Sequence, residues 1–116
     1  ADAERDSKDV KMYAFLKGQL QMAKPPVYRA LVIDVRSPEE YRGGHAPGAR
    51  NIPLHELADT LPREMPDKDK VILLHCQSGM RSLNGMRQLQ RLGYKNVFNL
   101  GSLTRANQIV NEARKR

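Results

Sequence analysis

The apolar run Val71-Ile72-Leu73-Leu74 ends in His75-Cys76, passes through Gln77-Ser78-Gly79, and gives way at Met80 to residues of a different periodicity. From there apolar side chains recur at Met80, Leu83, Met86, Leu89 and Leu92, with Arg87, Gln88 and Arg91 between them. A short continuous apolar run reads as a strand buried on both faces. The later spacing reads as an amphipathic helix, and Gly93 supplies a C-terminal stop. Leu31-Val32-Ile33 and Asn96 to Leu100 read as further short strands, and Leu103 to Arg114 as a closing helix. Leu54, Leu57, Ala58 and Leu61 form another helical stripe, broken at Pro62. This alternation implies an α/β fold, a central parallel sheet with helices on both faces.

Upstream, Ser7 to Ala23 is a candidate helix with Val10, Tyr13, Ala14 and Leu20 on one side, ended by Pro25-Pro26. Residues 1–26 therefore read as an N-terminal helical extension, and 27–116 as the domain proper. At 116 residues the chain has room for one modest core. Without tryptophan, and with Phe15 and Phe98 as its phenylalanines, that core is mainly aliphatic. There is no internal repeat and no low-complexity stretch.

Cys76 lies at the C-terminal end of a predicted strand, just before a helix N-terminus, where open α/β sheets bind ligands. Unpaired first-turn N–H groups and the helix dipole favour negative charge there. Arg81 adds a full positive charge, and no acid lies between Cys76 and Ser82 to cancel it. A free thiol is only about 3% thiolate at neutral pH; lowering its pKa by about 2 units makes most of it nucleophilic. Gly79 allows the loop a backbone conformation other residues resist. Cys76 is the chain's single cysteine. That excludes an internal disulfide, a Cys-x-x-Cys redox pair and an all-cysteine zinc site.

Two blocks carry a resemblance. The first runs Ile33-Asp34-Val35-Arg36-Ser37-Pro38-Glu39-Glu40-Tyr41, then Gly44-His45-Ala46-Pro47-Gly48-Ala49, to Asn51-Ile52-Pro53. The second is Cys76-Gln77-Ser78-Gly79-Met80-Arg81-Ser82. Over roughly Val27 to Ile109 the chain resembles the rhodanese family, most of all small single-domain bacterial rhodaneses of the phage-shock type. The resemblance implies a rhodanese-like three-layer fold and a thiosulfate-type sulfurtransferase that moves a sulfane sulfur through a persulfide on Cys76. It implies a small anionic donor such as thiosulfate, a thiol or cyanide acceptor, and no cofactor. The Cys-x4-Arg loop matches sulfurtransferases, whereas related phosphatases and arsenate reductases carry Cys-x5-Arg. His75-Cys76 echoes the His-Cys pair of those phosphatases without their extra residue. A non-catalytic sulfur-carrier or interaction module is the alternative from another class.

In this reading Cys76 is the nucleophile and Arg81 attracts the donor. Backbone N–H groups of Gln77, Ser78, Gly79, Met80 and Ser82 bind the transferred sulfur, with the Ser78 and Ser82 hydroxyls as further donors. Asp34 and Arg36 are expected as a hydrogen-bonded pair beside the site, fixing the loop through His45. Ser37 and Glu40 form a capping box with Pro38 at the first helical position, so Glu39 and Glu40 are structural. His45, His55 and His75 lack the spacing of a metal site. Rhodaneses often carry a glycine pair followed by tryptophan after the last strand; here Gly101-Ser102-Leu103 stands instead. That departure bears on the packing beside the active loop.

The formal net charge is +7. Most of the excess is dispersed, with a cluster only at Arg114-Lys115-Arg116 and no aromatic interleaving, so nucleic acid is not the expected partner. Steering of anionic donors is a use for it. No stretch is long enough to span a membrane. The start Ala1-Asp2-Ala3-Glu4, without methionine, favours a periplasmic or exported setting over a cytoplasmic one, or else a chain trimmed from a larger parent. The sequence pattern sets no oligomeric state.

Overall fold

The computed structural model describes residues 30–114. Four strands and four helices alternate: β1 (Leu31–Asp34), α1 (Pro38–Arg42), β2 (Arg50–Asn51), α2 (Leu54–Glu64), β3 (Val71–His75), α3 (Met80–Arg91), β4 (Asn96–Gly101) and α4 (Leu103–Arg114). The strands form one parallel sheet in the order β2-β1-β3-β4. The expected Ser7–Ala23 helix and its Pro25-Pro26 stop lie outside the described residues.

Alternation along each strand divides the core in two. Ile33, Ile72, Leu74, Cys76 and Val97 pack with Leu57 and Leu61 of α2 and Leu89 of α3. Val32, Leu73 and Leu100 point the other way, toward Ala106 and Val110 of α4. The sheet is thus sandwiched between α2 and α3 on one face and α4 on the other, the three-layer α/β arrangement expected. Both faces are covered, so β3 is apolar from Val71 to Leu74 before it ends in the buried His75.

Register brings the strand ends level. β1 and β3 pair from Leu31↔Ile72 to Asp34↔His75. β3 and β4 pair in step to Leu74↔Asn99, then slip, so that His75 meets Gly101. That shift carries the end of β4 beside Cys76, whose N–H donates to the Gly101 carbonyl at 3.0 Å.

Three local expectations are corrected. The apolar stripe of α3 is buried only along its middle: Leu89 is buried and Met86 packs against the core, but Met80 is 71% exposed and Leu92, just past the helix, 41%. Beside Leu89, the residues facing inward are Ser82 and Gly85. Small residues are needed there because α2 packs close; a Cβ on Gly85 would stand 2.9 Å from Leu57 Cδ2 and 3.3 Å from Leu74 Cδ1. Pro62 does not break α2, which continues to Glu64. It falls in the last turn, where only one intrahelical bond is forfeited, and Leu57 and Leu61 beside it are fully buried. Ala58, placed in the stripe by spacing, is exposed.

Candidate active site

Cys76 sits just beyond β3, fully buried. The loop after it turns back through Gly79, whose φ of 104° lies where side chains are strained. Gly79 is also the N-cap of α3. This turn aims the backbone N–H of Gly79 at Cys76 Sγ, at 3.0 Å. The Ser82 N–H and hydroxyl approach the same sulfur, each at 3.4 Å. Burial pushes the Cys76 thiol pKa up, but hydrogen bonds from the Ser82 hydroxyl and from the N–H groups of Ser82, Gly79 and Ser78 outweigh it, so the net shift is downward. The direction is the one expected from the sequence, and the leading agents are hydrogen bonds, the loop N–H groups among them.

Arg81 is not an unopposed cation. No acid lies within the loop, but α1 supplies one from far away in sequence: Glu40 accepts from Arg81 Nη1 at 2.8 Å and from Nη2 at 2.9 Å. The pair is bidentate and about 40% and 35% exposed on its two sides. Arg81 and the Ser37 N–H hold the Glu40 carboxyl at a pKa of about 2, against an ordinary 4.5. The expected capping box is present, with Ser37 Oγ receiving the Glu40 N–H and Glu40 receiving the Ser37 N–H. Glu40 is structural, and it also grips the loop arginine.

Asp34 and Arg36 form the expected buried pair, at 2.7 Å. Arg36 then spreads its remaining donors, to the Gly44 carbonyl at 2.6 Å and to Gln77 Oε1 at 3.1 Å. One guanidinium thus ties β1 to the loop before His45 and to the loop after Cys76. His45 itself is exposed and stacked on Tyr41, with ring centroids 4.0 Å apart. Gln77, Ser78 and Met80 are exposed around the loop, and Ser78 bridges antiparallel to Ser102. Among the described residues no group of three or more His, Cys, Asp or Glu is placed to hold a metal ion.

His75 is buried between these groups. Desolvation lowers its pKa below 6.5 despite the nearby Asp34 carboxylate, so the ring is neutral at physiological pH. Its Nδ1 lies 3.4 Å from the Cys76 carbonyl, and its Nε2 has no hydrogen-bond partner.

Residues 16–105 match the model of the rhodanese-like domain. The chain belongs to the rhodanese-like domain family. This rhodanese-like domain is 39% identical over 93 residues to the thiosulfate sulfurtransferase PspE of Escherichia coli (strain K12), covering 77% of this chain and 89% of that protein. Among solved structures, an E. coli rhodanese with anions superposes with a TM-score of 0.63 at 37% identity, over 66% of this chain and 89% of that one. The human single-domain sulfurtransferase TSTD1 does so with a TM-score of 0.57 at 35% identity, over 61% and 74%. PspE and TSTD1 are both named as sulfurtransferases.

Two residues of the rhodanese-like domain have roles that sequence reasoning missed. Asn99, at the end of β4, accepts from Ser82 Oγ at 2.6 Å and from the Gly101 N–H at 2.9 Å, and donates to the Gly79 carbonyl at 3.2 Å. Its one sequence signal is a polar residue near the C-terminal end of a strand that β3 pairs with. Ser102, read only as a missing glycine, accepts the Arg105 N–H at 3.1 Å and so caps α4.

Proposed function

We propose that this domain carries out sulfur transfer through a persulfide on Cys76, from an anionic donor of the thiosulfate type to a thiol or cyanide acceptor. The observation that carries the reading is the Cys76 sulfur, at the C-terminal edge of a parallel sheet and facing hydrogen-bond donors from Gly79 and Ser82. Those donors favour the thiolate and sit where charge persists when sulfur is transferred.

The step is a double displacement. The Cys76 thiolate attacks the outer sulfur of thiosulfate; an S–S bond to Cys76 forms as the S–S bond to the sulfonate sulfur breaks, and sulfite leaves with the electron pair. The acceptor nucleophile then attacks the terminal sulfur and the Cys76 thiolate departs. Cyanide yields thiocyanate, and a thiol yields a persulfide after losing its proton. Both half-reactions begin or end on the thiolate, which the lowered pKa supports. Arg81 recruits the anionic donor in competition with Glu40. Backbone N–H groups from Gln77 to Ser82 line the terminal sulfur.

The test is incubation with thiosulfate and cyanide, following thiocyanate, beside mass spectrometry for a gain of one sulfur. Turnover that disappears in Cys76→Ser supports the proposal. Persulfide without turnover points to a sulfur carrier, and no sulfur uptake refutes both readings.

A further inference from the structure

Ser82 Oγ has one proton and three acceptors within reach. It lies 3.4 Å from Cys76 Sγ, 3.2 Å from the Gly79 carbonyl and 2.6 Å from Asn99 Oδ1. Ser82 is fully buried, so water does not relieve the competition. The Asn99 amide cannot be reversed without loss. Its oxygen receives the Gly101 N–H and its nitrogen donates to the Gly79 carbonyl, and turning the group over would set donor against donor and acceptor against acceptor. The Asn99 oxygen therefore faces Ser82 as an acceptor, at the shortest of the three distances.

We infer that Asn99 is a positioning residue that competes with the Cys76 sulfur for the Ser82 proton and so weakens the hydrogen bond the thiolate receives. When the thiol loses its proton, the thiolate competes with Asn99 for the Ser82 proton. A thiolate with fewer donors is more basic and more nucleophilic, so Asn99 trades thiolate population for reactivity. It acts through Ser82 and touches no reacting atom. The inference rests on Cys76 being the nucleophile of the proposed function, but not on the identity of donor or acceptor.

The experiment is the pH dependence of Cys76 alkylation by iodoacetamide in the wild type, Asn99→Ala, Ser82→Ala and the double variant. In Asn99→Ala the Ser82 proton turns to the sulfur. The midpoint of the profile then falls by about one pH unit, and the plateau rate falls about 3-fold, as thiolate nucleophilicity follows basicity. Ser82→Ala moves the midpoint up. In the Ser82→Ala background, Asn99→Ala adds no further shift. An equal shift in that background would show that Asn99 acts by shaping the loop and would overturn the inference, as would an unmoved midpoint in Asn99→Ala alone. Should Asn99→Ala fail to fold, the isosteric Asn99→Asp keeps the acceptor, holds the proton more firmly and moves the midpoint up by more than it does in the Ser82→Ala background, where the new charge acts alone; equal upward shifts in the two backgrounds overturn the inference. Because the probe is an alkylating reagent, these outcomes are independent of the sulfur-uptake test.

Discussion

Replacing Glu40 by Gln isolates the charge that opposes Arg81. Glutamine serves at this position of a capping box as glutamate does, so Ser37 keeps its partner. What is lost is the bidentate charge pair, at 2.8 and 2.9 Å. The difference between 4.5 and about 2 for the Glu40 carboxyl corresponds at face value to about 3.4 kcal/mol. Both partners are more than a third exposed, and solvent screening reduces such a pair to about 1 kcal/mol. A donor anion that recruits Arg81 must offset that amount, which is about 5-fold in affinity. Glu40→Gln should therefore lower KM for thiosulfate about 5-fold with kcat little changed, measured as thiocyanate formation with cyanide in excess. Stability should fall by about 1 kcal/mol at neutral pH in urea unfolding. The carboxyl pKa is depressed on folding, so its stabilisation is present above 4.5 and lost as pH falls toward about 2. Wild type and variant should thus converge across that window. An unchanged or raised KM would refute the reasoning, because it would mean that Glu40 holds Arg81 in its working orientation.

Two other perturbations test separate parts of the site. Gly79→Ala forces a side chain onto a φ of 104° and sets its Cβ 3.4 Å from Gly101 Cα; it should cost about 2 kcal/mol and raise the midpoint of Cys76 alkylation, and wild-type stability would contradict the strain argument. His75 resists protonation in the fold, so the unfolded chain takes up a proton first as pH drops through 6.5, and stability should decline from there downward. Urea unfolding across that range should show a shallower decline in His75→Phe; an identical decline would assign it to other groups.

The βα unit around Cys76 was legible because period and glycine placement are local signals. β3 spans Val71–His75, α3 begins at Met80, and α4 occupies Leu103–Arg114 as the spacing indicates. The capping box was legible for the same reason, since Ser37, Pro38 and Glu40 act within one turn. The Asp34–Arg36 pair lies two residues apart. What escaped depends on contacts between distant segments. Glu40 reaches Arg81 only because α1 and the loop meet above the sheet edge. Asn99 reaches Ser82 only because β4 pairs beside β3, with Asn99 opposite Leu74 at the strand end that leads into the loop. The α3 stripe misled at its ends because Gly85 is buried for its closeness to α2 and Ser82 for its hydrogen bonds to the site, signals a hydrophobicity count passes over. Pro62 misled because its cost depends on distance from the helix end, and that end was set by tertiary burial.

Cys76 is wholly shielded as a residue, its sulfur recessed under the loop that activates it. A sulfur added to it stands about 2 Å beyond Sγ, the length of one S–S bond. Loaded and empty forms of the proposed persulfide cycle therefore differ in depth as well as in chemistry. A bulky acceptor whose nucleophile stops short of Sγ meets the cargo and misses the bare thiol. In that proposed cycle such recession would act as a ruler, letting the acceptor gauge occupancy by reach and sparing the empty thiol from exchange with large disulfides.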